Sequence, residues 1–316
     1  MALPIIIDCD PGHDDALALM LAAGDPGVDL LAITTVAGNQ TLEKTTLNAR
    51  RVCTVAGITG VPVAAGCARP LVQPLQVADD VHGDSGLDGP RFPEPAVDVV
   101  PEHAVDLIHR VLTDHPEPVT LVPTGPLTNI ALLLTRHPGS AARIREIVLM
   151  GGSTEGGNRT PAAEFNIHTD PEAADIVFRS GLPVTMCGLN VTHQALATPE
   201  VLARFEGLGT DLGRICAELM AYFAGTYRRL WGFPSPPLHD PVAVARVLDP
   251  GLVRCVEAHV AVELRGEYTR GATVVDLHGY LGRPVNARVA VALDRERFWD
   301  RLVAAVAALG ERMPAG

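Results

Sequence analysis

Residues 5–21, IIIDCDPGHDDALALML, constrain the fold more than any other stretch, because four carboxylates (Asp8, Asp10, Asp14, Asp15) fall within eight residues between an apolar run and a helical pattern. Ile5, Ile6 and Ile7 form the β-branched run of a buried strand, and Pro11 and Gly12 stop it before a helix can begin. Asp8 and Asp10 therefore stand at a strand end. Asp14 or Asp15 is expected to cap a helix through Ala16, Leu17, Leu19, Met20 and Leu21, apolar on every side and so buried, with Gly24 closing it. Four acids this close repel one another, and a helix N-terminus relieves only about 0.3–1 kcal/mol of that. A hard cation, calcium or magnesium, suits an all-oxygen donor set. The bland alternative is a group of solvated caps.

At 316 residues and 47% hydrophobic content the chain can bury a large core, and it reads as a single domain over residues 1–316. A net charge of −12, with Lys44 the sole lysine, argues against a nucleic-acid or anionic-membrane surface, which needs clustered Lys and Arg. Six cysteines without a C-x-x-C pair are the pattern of a reduced compartment. No basic leader precedes the first acids, and no apolar stretch reaches the roughly 18 residues a bilayer span needs. The expectation is a cytoplasmic protein acting on a small molecule.

Apolar runs and helical periodicities alternate along the chain. Strands are expected over 30–36, 61–65, 119–122, 144–150 and 184–187, and helices over 41–56, 102–113, 127–135 and 171–179. The region 199–230 reads as one or two helices, with Tyr222, Tyr227 and Trp231 near its end. Segments 254–263, 273–277 and 287–293 read as late strands, antiparallel neighbours or a side ribbon, before a helix over 297–309. A Pro- and Gly-rich segment, 67–95, carries HGDSGLDG at its centre and is too long to be a passive connection. The fold class is α/β: an open, mostly parallel (mixed) Rossmann-like sheet with flanking helices and a C-terminal helical and ribbon elaboration. Ligands of such sheets bind beyond the carboxyl ends of strands, so Asp10, Asn39, Thr124 and residues 151–166 should converge on one crevice.

D-x-D-P-G-x-D-D after an apolar strand resembles the signature of the inosine-uridine-preferring nucleoside hydrolases. The resemblance continues in order through VPTGPLTNIA (122–131), MGG (150–152), NRTPAAEFNIHTDPEAA (158–174) and HDPVAVA (239–245). It implies calcium-dependent hydrolysis of the N-glycosidic bond of ribonucleosides to a purine or pyrimidine base and ribose, in a homodimer or homotetramer. It implies an ion held by Asp10, Asp15, the Thr124 carbonyl and Asp240, with waters and the sugar's vicinal diol filling the remaining positions. Asp10 would accept the proton of the attacking water and His239 would protonate the departing base. Asp14 and Asn39 resemble contacts to ribose hydroxyls, and Asn158, Glu164 and Asn166, with Phe165 between them, the group at the 3′- and 5′-hydroxyls. His82 would lie near the base, and Trp231, with Tyr222 and Tyr227, would wall it. His13, His193 and the remaining histidines are given no role.

Two positions depart from the pattern. Cys9 replaces the usual Thr and reads as a small packing substitution, while Asn190 stands where an Asp is expected, which would weaken calcium binding if that acid supports the ion's ligands. Two other functions compete. A haloacid-dehalogenase-like phosphatase would use Asp8 as nucleophile, but it needs a downstream lysine and only Lys44 exists. A nucleoside- or ribose-binding protein would keep the diol site without turnover, against which Asp10 and His239 both speak.

Overall fold

The computed structural model describes residues 2–312. Its strands are β1 (Leu3–Cys9), β2 (Val28–Thr35), β3 (Val63–Ala65), β4 (Val119–Pro123), β5 (Ile144–Met150), β6 (Val184–Cys187), β7 (Val253–Val262), β8 (Thr273–Asp276) and β9 (Ala287–Leu293). The first helices are α1 (His13–Gly24), α2 (Leu42–Val55), α3 (Asp79–His82), α4 (Ala104–Asp114), α5 (Thr128–Arg136) and α6 (Phe165–Thr169). Then follow α7 (Pro171–Phe178), α8 (Leu189–Thr192), α9 (Pro199–Glu206), α10 (Asp211–Trp231), α11 (Asp240–Leu248) and α12 (Arg295–Arg312).

One sheet runs in the order β3-β2-β1-β4-β5-β6-β9-β7-β8. Strand alternation divides its two faces. Ile5, Ile7 and Cys9 point into a core shared with α1, α2, α10, α11 and α12, whereas Ile6 points into a second core with α4, α5 and α7. Because β1 lies between β2 and β4, both parallel to it, the chain reverses its direction of winding beside β1. That reversal opens the crevice at the carboxyl ends of β1 and β4.

Helix α1 is buried on all sides, from Ala16 to Ala22, as an all-apolar helix must be. Its start differs from expectation. Gly12 is the N-cap, and Asp14 and Asp15 lie inside the first turn, where Asp15 accepts the Gly12 N–H at 2.9 Å. Neither acid could serve as the cap and also reach across to a neighbouring loop. The late strands are antiparallel neighbours as expected, β7 pairing with both β8 and β9, and β9 joins them to the main sheet by running parallel to β6. The predicted 199–230 region is two helices, α9 and α10, broken at Gly207 to Thr210. Among the described residues no helix is long and apolar enough to cross a membrane.

Candidate active site

Each central strand delivers its polar residue to the crevice within a few residues of its end. Asp10 follows β1, Asn39 follows β2, Thr124 follows β4 and the 151–166 loop follows β5, while Asp240 opens α11. Asp10, Asp14, Asp15, Thr124 and Asp240 are all at most 5% exposed. Carboxylate oxygens of Asp14, Asp15 and Asp240 lie within 4.8 Å of one another. Asp14, expected at the sugar, thus lies in one tight cluster with Asp15 and Asp240, two of the residues expected to hold an ion.

Asp10 sits beside the cluster. Its Oδ2 accepts the Asn39 main-chain N–H at 2.7 Å, while Oδ1 is buried without a partner. Gly38 and Gly125 pack against its carboxyl so closely that a Cβ at either would collide with it. Asp15 is better served: Oδ2 accepts from Gly12 N and from Asn39 Nδ2 (3.3 Å), and Oδ1 from Thr124 Oγ1 at 2.8 Å. Burial, then mutual repulsion, pushes the carboxyls of Asp10 and Asp240 well above their ordinary range and Asp14 up to about 7. Four buried acids in one place, one with an orphaned oxygen, are the environment of a missing positive charge. An all-carboxylate donor set with a main-chain carbonyl nearby fits a hard divalent cation.

Asp8 does not join them. Its Oδ1 accepts from Thr34 Oγ1 (2.6 Å) and Asn129 Nδ2 (2.8 Å) behind the sheet end, and burial pushes it up to about 7. Lys44 donates to the Asp84 carbonyl instead of facing any carboxylate, so a phosphatase-like pairing of Asp8 with a lysine is absent. Cys9 is buried, its thiol pushed up by burial and then by the nearby acids, and turned to the Thr34 carbonyl at 3.4 Å. This suits a packing residue. Asn190 donates to the Ala290 carbonyl of β9 at 2.7 Å and touches none of the acids, so its effect on an ion is not carried by contact.

A cavity of about 240 Å³ opens onto the cluster, with Asp14, Asn39, Glu164, Asn166, His82 and Trp231 among its walls. Asn158 and Phe165 also face it. Asn166 donates through Nδ2 to the Thr124 carbonyl (2.7 Å) and to the Met150 carbonyl (3.2 Å), which fixes its side-chain oxygen. Glu164 is the N-cap of α6, accepting from Asn166 N (2.9 Å), Ile167 N (3.1 Å) and Gly152 N (2.9 Å); burial raises it to about 7. Asn158 Oδ1 accepts the Phe165 N–H at 2.9 Å, and the Arg159 guanidinium lies 5.9 Å from the Phe165 ring centre.

At the other end of the cavity both ring nitrogens of His239 are engaged, Nδ1 with Thr192 Oγ1 at 2.7 Å and Nε2 with the Tyr227 hydroxyl at 2.6 Å. Tyr227 and Trp231, one helical turn apart on α10, lie with ring centres 4.6 Å apart and planes tilted by 44°. Tyr222 points elsewhere: it stacks on His13 at 5.1 Å. His13, given no role by sequence, is 1% exposed and meets His82. His193, likewise set aside, stands edge-on to His239 at 5.7 Å. Thr192 and Phe223 were also missed; only the position of His13 beside Asp14 could have flagged any of these.

The inosine-uridine preferring nucleoside hydrolase model matches residues 5–300. The chain is 52% identical over 303 residues to the pyrimidine-specific ribonucleoside hydrolase RihA of Photobacterium profundum, covering 96% of this chain and 98% of that one. It is 51% identical to the protein of the same description from Escherichia coli, over 96% and 97% of the two chains. The purine-preferring ribonucleoside hydrolase of Gardnerella vaginalis superposes with a TM-score of 0.92 at 34% identity, over 98% of this chain and 100% of that one. Co-linear motifs, a strand-end crevice with a buried acidic cluster and whole-length similarity agree: this chain belongs to the inosine-uridine preferring nucleoside hydrolase family and is an N-glycosyl hydrolase of ribonucleosides.

Proposed function

We propose that the chain is a calcium-dependent hydrolase of pyrimidine ribonucleosides, releasing the free base and ribose. The observation that carries the metal dependence is the buried group Asp10, Asp14, Asp15 and Asp240 with its unpartnered oxygen at the mouth of a nucleoside-sized cavity. The pyrimidine preference rests on relatives of 51–52% identity named for it, against 34% for the purine-preferring one. Asp10, Asp15, Asp240 and the Thr124 carbonyl would hold the ion, with Asp14 beside it. The chemistry a calcium ion would supply there, when bound, is neutralisation of the acids, a hold on a sugar diol and a more acidic water.

Asp10, whose Oδ1 no protein group uses, accepts the proton of the water that attacks the anomeric carbon. Asn39 braces Asp10 and Asp15 and faces the sugar side of the cavity. The fixed amide oxygen of Asn166, with Asn158 and Glu164, receives the distal ribose hydroxyls. Since Tyr227 occupies Nε2 of His239, that histidine serves the base through the phenol, whose proton goes to the departing nitrogen while the imidazole Nε2–H donates a hydrogen bond to the phenolate oxygen left behind, which solvent reprotonates after release. Phe165 and Trp231 enclose the two ends.

A homodimer or homotetramer in the cytoplasm completes the reading; the exposed Tyr268, Val274, Tyr280 and Val285 around β8 are apolar surface that subunit contacts would cover. Uridine, cytidine and inosine, assayed for free base and reducing sugar with calcium and after chelation, test the whole proposal. Uridine cleavage at full rate in protein shown by elemental analysis to lack metal would sink the calcium reading, and preference for inosine would sink the pyrimidine one.

A further inference from the structure

The outermost ribbon of the sheet reaches back to the sugar end of the cavity. Among the described residues β8 pairs with β7 alone, at the edge of the sheet. Its first residue, Thr273, turns its hydroxyl onto one residue of the loop that follows β5. Thr273 Oγ1 accepts the Ser153 main-chain N–H at 2.9 Å and donates to the Ser153 carbonyl at 2.6 Å. Ser153 is buried, and among the described residues neither of these main-chain groups has another partner. A buried main-chain group left unpaired is costly, so one hydroxyl secures this residue at both ends. The chain makes room for it at Gly152, whose φ of +73° favours glycine and where a Cβ would lie 2.8 Å from Thr273 Cγ2.

The next main-chain donor, Gly152 N–H, ends on Glu164 Oε2 at 2.9 Å. The same oxygen accepts Ile167 N–H at 3.1 Å, whereas Oε1 accepts only Asn166 N–H, at 2.9 Å. A carboxylate oxygen has room for two donors. Oε2 is therefore filled, and Oε1 keeps a lone pair for a ligand in the cavity that Glu164 lines. Three N–H groups decide where that lone pair sits. Two of them belong to the first turn of α6, which Glu164 itself caps. The third comes from a loop with no regular structure of its own, and the contact from Thr273, 120 positions further along the chain, supplies the hold it lacks.

We propose that Thr273 is a positioning residue for the ribose end of the site: it pins Ser153 and the Gly152 N–H beside it, and so holds the Glu164 carboxylate where Oε1 accepts the substrate's 5′-hydroxyl. The inference rests on reading the cavity as a ribonucleoside site with Glu164 at a distal hydroxyl. Thr273 touches no substrate, and its effect passes through one main-chain N–H. Asp10, Asp14, Asp15 and Asp240 stand on other elements and keep their arrangement without it, so the loss of Thr273 falls on the grip on one hydroxyl. A grip that tightens as the sugar flattens counts in turnover as well as in binding.

Thr273→Val keeps the branched shape and removes both hydrogen bonds, whereas Thr273→Ser keeps them. In calcium-loaded protein, amide hydrogen exchange read by NMR should quicken by about tenfold or more at Gly152 and Ser153 in Thr273→Val and stay near the wild-type rate in Thr273→Ser. Unchanged exchange at Gly152 in the valine variant overturns the proposal. In turnover, Thr273→Val should lower kcat/KM for uridine by about tenfold, the size of one hydrogen bond, and that for 5′-deoxyuridine by less than about twofold. Thr273→Ser should restore uridine cleavage. Equal losses on the two substrates also overturn it, since Thr273 would then serve the fold alone. A wild-type protein inactive on every ribonucleoside would refute the proposed function, and the exchange rates would still decide whether Thr273 holds the Gly152 N–H on Glu164.

Discussion

Stripping the cation should destabilise the protein by an amount that grows with pH. In the metal-free state, burial and mutual repulsion raise Asp10, Asp14, Asp15 and Asp240, Asp14 to about 7. An acid raised in the folded state contributes its stability below its unfolded value, near pH 4, and loses it as pH climbs through the folded value. The metal-free protein therefore weakens between about pH 5 and 8 on account of these groups. With the ion bound the acids are ionised and matched, so the same rise in pH strengthens binding. An ion present at 100 times its dissociation constant adds about 2.7 kcal/mol. For 316 residues the entropy of unfolding makes this a rise in Tm of about 4 °C. Differential scanning fluorimetry with calcium or chelator at pH 5.5, 7 and 8 measures it. A shift smaller at pH 8 than at pH 5.5 would refute the linkage, and an undiminished shift in Asp240→Asn would show that the ion binds elsewhere.

Asp10→Asn keeps the packing against Gly38 and Gly125 but removes the proton acceptor, so kcat should fall by about 10²-fold or more with KM little changed; a rise in KM alone would mark Asp10 as a ligand only. His239→Ala and Tyr227→Phe should each cost about 10²-fold on uridine and little on p-nitrophenyl riboside, whose phenolate leaves unaided, and the double variant should lose no more than either single one; independent, additive losses would break the link through the phenol. Asn166→Ala should lower both binding and turnover of uridine, and 5′-deoxyuridine cleaved as fast as uridine would show that no 5′-hydroxyl contact exists.

The acid-rich end of the site was legible because strand ends are legible. A β-branched run followed by Pro11 and Gly12 places Asp10, and the same logic places Asn39, Thr124 and Asn166; parallel topology then brings them together without any knowledge of side-chain contacts. The helix start was less legible. Whether Gly12 or an acid caps α1 depends on Asp15 folding back onto the Gly12 N–H, a one-residue matter that local preference cannot decide. At the base end the resemblance supplied His82, Tyr227, Trp231 and His239, but the contacts that hold them were not legible, for a different reason. His13 meets His82 across 69 positions of chain, and Tyr227, near the end of α10, meets His239 ahead of α11; neither neighbour shares a periodic face or a spacing rule with its partner. The insertion of β9 beside β6 is of the same kind, since a late strand carries no mark of which edge it will join.

This division has a functional consequence. The sugar end is built on the central strands β1, β2, β4 and β5, with Asp10 and Asp15 held by main-chain N–H groups, a hydroxyl and glycine contacts that a single side-chain change cannot shift without cost. The base end hangs on the last turn of α10, on α3 and on the 151–164 loop, and Leu230 and Trp231 there are 40% and 37% exposed. Residues on such a rim can be exchanged with little effect on the core. Relatives named for pyrimidines and a structure named for purines keep the same fold, which is what a rigid ribose clamp with a replaceable base wall would produce. Selection acting on base preference therefore has its least costly targets at Leu230 and Trp231, the exposed residues at the end of α10, and not among the acids or at the buried Phe223 and Tyr227.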